Sequence, residues 1–168
     1  MRQMPVIDGF DFAESGKTLQ GVSPVRDFPR LRDLLHADAG DVEYMVSGHR
    51  DREGRPALRI EVRGTLSLSC RRCLEPLAFP VALDALLTLS LRESEGDDDP
   101  VGSDIERVVA GKEMGVRELL EDELLLSVPL APCHMACIAV PAGVGERRSP
   151  FANLRGLLGP DGPGRGNN

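Results

Sequence analysis

The stretch from Leu58 to Leu91 alternates apolar and polar side chains on both sides of a short Cys70-Arg71-Arg72-Cys73 interruption, and few folds accept such a pattern. Period-two alternation places successive side chains on opposite faces of a β-strand. Leu58, Ile60, Val62, Leu66 and Leu68 fall on one face, while Arg59, Glu61, Arg63, Thr65, Ser67 and Ser69 fall on the other. After the interruption, Leu77, Phe79, Val81, Leu83, Ala85, Leu87, Leu89 and Leu91 again share a face. A one-residue slip would turn either row into water, so the register is well specified. Pro76 and Pro80 remove two backbone donors and assign the first part of this second strand to an edge or a bulge.

A third alternating segment, Val42, Tyr44 and Val46, precedes these two and is separated from them by the turn-rich stretch 48–56. Together they predict an antiparallel meander. From Val116 to about Val128 the period changes: Val116, Leu119, Leu120 and Leu124 form an i, i+3, i+4 stripe, and Pro129 ends it. Shorter helices are expected from Pro29, with Asp27 as cap and Leu31, Leu34 and Leu35 on one face, and from Ser149-Pro150, carrying Phe151, Leu154, Leu157 and Leu158. Ile105, Val108 and Val109 suggest one more short strand, whereas residues 1–23 read as irregular. The expected fold is therefore α+β, an antiparallel β-meander packed by one main helix in the C-terminal half and flanked by short helices. Residues 1–158 are expected to form one domain with a mobile acidic loop at 93–100, and 159–168 a disordered tail.

With no Trp, one Tyr and five Phe, the core must be aliphatic. The net charge of −7 is concentrated in residues 91–125, which hold twelve acids and four bases. Such a balance argues against a protein that coats nucleic acid by general electrostatics. No apolar run approaches the roughly 20 residues that span a bilayer. The segment Met1-Arg2-Gln3-Met4-Pro5 leads into mixed sequence without a signal-peptide core, so a cytoplasmic protein is expected. No nucleophile motif or glycine-rich phosphate cradle occurs, and an enzyme is not expected.

The chemistry lies in two cysteine pairs, Cys70-x-x-Cys73 and Cys133-His134-x-x-Cys137. In a reducing compartment such pairs point to a metal site or redox chemistry more than to disulfides. Zinc takes four soft or borderline ligands, and the first pair sits at a hairpin tip, where two thiolates can face one ion. The candidate ligands are Cys70, Cys73, Cys133 and Cys137, or the same set with His134 in place of Cys133. Ordinary buried thiols are the competing reading. No βαβ pattern supports a thioredoxin-like role. Along the helix, Glu118, Glu121, Asp122 and Glu123 form a charge run of the kind that usually faces solvent. Glu123 differs, being one turn from both Leu119 and Leu126; Arg72 is its candidate ion-pair partner.

Two motifs together resemble the YceD family of large ribosomal RNA subunit accumulation proteins. They are Gly64-Thr65-Leu66-x-Leu68-x-Cys70-x-Arg72-Cys73-Leu74 and Glu121-Asp122-Glu123-Leu124-Leu125-Leu126-x-Val128-Pro129-Leu130-x-Pro132-x-His134, the latter followed by Cys137. Ser149-Pro150-Phe151-x-x-Leu154 is similar to the family's closing segment. The resemblance implies a bacterial or plastid protein needed for large-subunit rRNA to accumulate, with no enzyme activity. The expected partner is that rRNA or a protein bound to it, with neither a membrane nor a small-molecule substrate involved. Arg59, Arg63 and Arg71 are the expected contacts to RNA or a partner, with an ordinary polar sheet face as the alternative. The second functional expectation is an acidic adaptor that recruits or blocks a ribonuclease or ribosomal protein without touching RNA.

Overall fold

The computed structural model describes residues 4–91 and 106–137. Residues 93–100, the segment from Ser149 and the tail 159–168 lie outside them. In chain order the elements are β1 (Val6–Ile7), α1 (Gly9–Glu14), β2 (Thr18–Pro24), β3 (Leu35–Ala37), β4 (Asp41–Arg50), β5 (Pro56–Ser69), β6 (Pro76–Ser90), β7 (Glu106–Val109), β8 (Met114–Gly115) and α2 (Val116–Ser127). Two 3-10 turns, Val25–Asp27 and Pro29–Leu34, bridge β2 and β3.

The fold is α+β. The main sheet has the order β2-β4-β5-β6-β7, with β3 pairing beside β4 on β5, and β1 and β8 form a separate two-stranded ribbon. The β4-β5-β6 meander is antiparallel and follows the alternation: Val62 stands opposite Tyr44 on one side and Leu83 on the other. Strand β7 instead runs parallel to β6, opposite Leu87–Ser90. Leu58, Ile60, Val62, Leu66 and Leu68 have no solvent exposure, and Val116, Leu119, Leu120 and Leu124 of α2 join them in one core. Leu91, expected in the same row, is exposed, because β6 ends at Ser90.

Two glycines set close approaches. A Cβ on Gly64 would come within 2.8 Å of Val42 Cγ1, so β4 can cross there. One on Gly48 would strike the backbone of Phe12 and Ala13, so α1 lies directly on β4.

Several expectations need correction. Within the segment 1–23, read as irregular, the described residues from Met4 are largely regular: Asp8 caps α1 by accepting the Asp11 N–H, and β2 pairs along β4. The helix at Pro29 is 3-10, begins after Phe28 rather than Asp27, and buries Leu31. The charge run on α2 is not simply solvated, since Glu121 and Glu123 are buried. Glu121 accepts the backbone N–H of Arg30 and, at 2.9 Å, its Nε. Among the described residues no helix is long and apolar enough to cross a membrane.

Candidate metal centre

Strands β5 and β6 end at the Cys70–Glu75 turn. The Cys70 N–H donates to the Glu75 carbonyl (3.0 Å), and the Leu74 N–H donates to the Cys70 carbonyl (2.9 Å), closing a tight loop around the sulfur. Leu74 adopts left-handed backbone, with φ of 64°. For a bulky residue this costs on the order of 1–2 kcal/mol. The turn aims N–H groups inward, and the Arg72 N–H lies 3.5 Å from Cys70 Sγ.

The chain after α2 returns to this turn. The Arg71 N–H donates to the Pro132 carbonyl at 2.8 Å, pinning the returning loop. His134 Nε2 sits 3.1 Å from the Pro76 carbonyl, which can only accept, so Nε2 carries the proton and Nδ1 presents its lone pair. Nδ1 points at Cys73 Sγ, 3.4 Å away, and the sulfurs of Cys70 and Cys137 are 3.8 Å apart. The donor atoms of Cys70, Cys73, His134 and Cys137 all lie within 4.8 Å of one another.

These spacings fit a metal. A tetrahedral zinc with Zn–S near 2.3 Å and Zn–N near 2.0 Å has S–S edges of about 3.8 Å and S–N edges of about 3.5 Å. The electrostatics fit as well. Backbone N–H groups, that of Cys73 foremost with those of Arg72 and His134, outweigh burial and hold the Cys70 thiol down to about 5. Burial pushes the Cys137 thiol up, as do the Cys70 and Cys73 sulfurs, while Arg72 pulls it down. The Cys137 thiol therefore resists ionising beside the other sulfurs, and a divalent cation removes that resistance.

Of the two ligand sets open in the sequence, the structure brings together the one with His134; Cys133 is exposed and outside the cluster. Adjacent side chains on an extended loop point apart, and the Pro76 carbonyl selects the histidine. The Arg72–Glu123 ion pair does not form. Arg72 is exposed at the turn, its charge acting on Cys137, whereas Glu123 is buried beside Glu106 and Asp122.

The sheet arginines are differently placed. Arg59 donates two hydrogen bonds to Asp84 across β5 and β6, at 2.8 and 2.6 Å, and is thus largely neutralised. Arg63 is 75% exposed with Glu61 4.0 Å away. Arg71 is exposed and makes no ion pair among the described residues.

Fold and site together define a class: a small α+β protein whose central hairpin and post-helix loop converge on a Cys3His cluster able to hold a metal ion. A family model described as "Large ribosomal RNA subunit accumulation protein YceD" matches residues 58–158, which include all four cluster residues, and the chain belongs to the YceD family. No solved structure matches the chain.

Proposed function

We propose that the protein is a non-enzymatic accessory factor of ribosome biogenesis that supports the accumulation and processing of large-subunit rRNA in the cytoplasm. The observation that carries this reading is the family match, which spans both the hairpin and the loop that build the candidate centre. In this reading Cys70, Cys73, His134 and Cys137 hold one zinc ion with a structural role. Four protein ligands leave no open position for a bound water or substrate, as structural zinc sites require and catalytic ones do not. The ion cross-links the β5–β6 turn to the loop after α2, so its binding energy becomes folding energy.

The partner is large-subunit rRNA or a protein bound to it. Arg63 and Arg71 are the arginines of the sheet row and turn best available to phosphates, since Asp84 occupies Arg59. The test is depletion of the protein in its host cell with quantification of mature and precursor rRNAs. A selective fall in large-subunit rRNA, restored by the wild-type gene, is the expected result. Unchanged rRNA would refute the reading.

A further inference from the structure

Strand β2 ends the main sheet: in the order β2-β4-β5-β6-β7 it has β4 on one side, and among the described residues no strand pairs on the other. The direction of its backbone groups follows from two bonds at its ends. The Lys17 carbonyl accepts the Gly48 N–H at 2.8 Å, and the Val25 N–H donates to the Gly40 carbonyl at 3.0 Å. The register between them is unbroken, so the odd-numbered residues bond β4. Thr18, Gln20 and Val22 therefore aim their N–H and C=O groups away from β4, and all three residues are exposed, Val22 by 62%. Pro24, next in that row, has no N–H and ends the series of donors.

Edge strands are usually blunted by charge, by proline or by a bulge. At the other end of the sheet, β7 is four residues long and carries Glu106 and Arg107. Strand β2 runs for seven residues with neither a charged side chain nor a bulge. Two grooves flank it, and both are lined by Gln20, Gly21 and Val22. One, of about 570 Å³, lies on the polar face of the sheet, against Glu43, Met45, Glu61 and Arg63. The other, of about 420 Å³, is walled by Met4, Pro5, Ser23 and Tyr44. Ser23 and Tyr44 alternate with Val22 and Glu43 along their strands, which puts their side chains on the opposite face. A strand added at this edge would turn alternate side chains into the two grooves, the arrangement by which strand addition gains both affinity and specificity.

The two grooves differ in chemistry, and the difference selects the occupant. On the polar face, Glu43 and Glu61 stand against the single base Arg63, and the exposed Glu43 is the cross-strand neighbour of Val22. A lysine or arginine on a strand about 4.8 Å outside Val22 can lay its stem on that side chain and bring its head to Glu43. In the second groove Arg26 and Asp27 balance each other, while Met4 and Pro5 supply an apolar wall for an aliphatic side chain. A second copy of the chain would offer the charge-free β2 itself, which brings no base to Glu43. We propose that the β2 edge receives an extended segment of a partner protein as an added strand. Its basic side chains lie on the Glu43 side and alternate with aliphatic ones on the Met4 and Tyr44 side. This assignment goes beyond the role in rRNA accumulation and does not rest on it.

The experiment titrates a labelled peptide of alternating lysine and valine into the full chain, followed by fluorescence anisotropy and by amide hydrogen exchange. In the free protein the N–H groups of Gln20 and Val22 should exchange quickly and those of Leu19 and Gly21 slowly, and the peptide should protect the first two. Gln20→Pro removes an edge donor without removing a bond to β4, and is expected to weaken binding at least about tenfold. Glu43→Gln should weaken it about threefold or more, whereas Glu75→Gln, the same charge change at the exposed hairpin tip, alters it less than about twofold. Should Gln20→Pro lower the melting temperature, Val22→Lys takes its place: a base at this exposed edge position repels those of the peptide, with the same loss expected. No binding by the wild type, undiminished binding by the edge variant, or equal effects of Glu43→Gln and Glu75→Gln overturns the proposal. So does protection of the Gln20 and Val22 amides in the free protein, which would mean that the chain's own residues or a second copy already cover the edge. An rRNA fragment that protects these amides in place of the peptide overturns it as well.

Discussion

His134 Nδ1 lies 3.4 Å from Cys73 Sγ although 61 positions separate the two residues in the chain. The contact joins the end of the central hairpin to the segment that follows the main helix. Everything between them, β6, β7, β8 and α2, is enclosed by that junction. A metal held there closes a long loop, which is where a cross-link restricts the unfolded chain most.

Substitution of single ligands should reveal the set. Cys70→Ser, Cys73→Ser, Cys137→Ser and His134→Ala are each expected to lose zinc, while Cys133→Ser keeps it. Metal content by elemental analysis checks this. Zinc retained by His134→Ala and lost by Cys133→Ser would restore the alternative ligand set.

The sheet should carry the stability. Leu66 and Ile60 have no exposure, and truncating either to Ala leaves a cavity costing about 2–5 kcal/mol, readable by urea denaturation. Arg59→Ala, by contrast, breaks an exposed pair and should cost less than about 1 kcal/mol. A loss from Arg59→Ala as large as that from Leu66→Ala would contradict this ranking.

The contribution of Glu123 to stability should fall as pH rises toward neutrality. Burial, together with Glu106 and Asp122, raises Glu123 from its ordinary 4.5 to about 7. Between these values the folded chain keeps a proton that the unfolded chain has released, so folding weakens with increasing pH, and the full penalty is present above about 7. Asp51 acts in the opposite sense on the acid side. Burial raises it, but the side chain and backbone of Arg55 and the Thr88 hydroxyl hold it net below its ordinary 3.8. Its contribution is present above that value and is lost as pH falls through the lower folded one. Thermal melts between pH 5 and 8 should show the Tm of Glu123→Gln rising relative to that of the wild type as pH increases, the low-lying Cys70 thiol acting in the opposite sense in both; parallel profiles would remove Glu123 from the account.

What was legible in the sequence had a long period or a short local motif. The rows from Leu58 to Leu68 and from Leu77 to Leu89 announced β5 and β6, and the stripe Val116–Leu124 with Pro129 announced α2. Strand β2 was hidden because its inward positions are Leu19, Gly21 and Ser23, which hardly alternate in polarity; Gly21 is small because Tyr44 lies against it. Helix α1 was hidden by its length of six residues. The parallel placement of β7 depends on a crossover, which periodicity does not encode. At the metal centre the residue types were legible but not the choice between Cys133 and His134, because the selecting atom is the carbonyl of Pro76, distant in sequence. The Arg72–Glu123 pairing assumes that a buried carboxylate beside the turn meets its arginine, whereas among the described residues the charged groups acting on Glu123 are the acids Glu106 and Asp122.

The central claim is that Cys70, Cys73, His134 and Cys137 bind zinc and thereby staple the fold. X-ray absorption spectroscopy at the zinc edge, on protein purified without chelator, measures metal content and ligand type together. The account predicts about one zinc per chain with three sulfur ligands near 2.3 Å and one nitrogen near 2.0 Å. Metal-free protein with all four thiols reduced and undiminished thermal stability would contradict it.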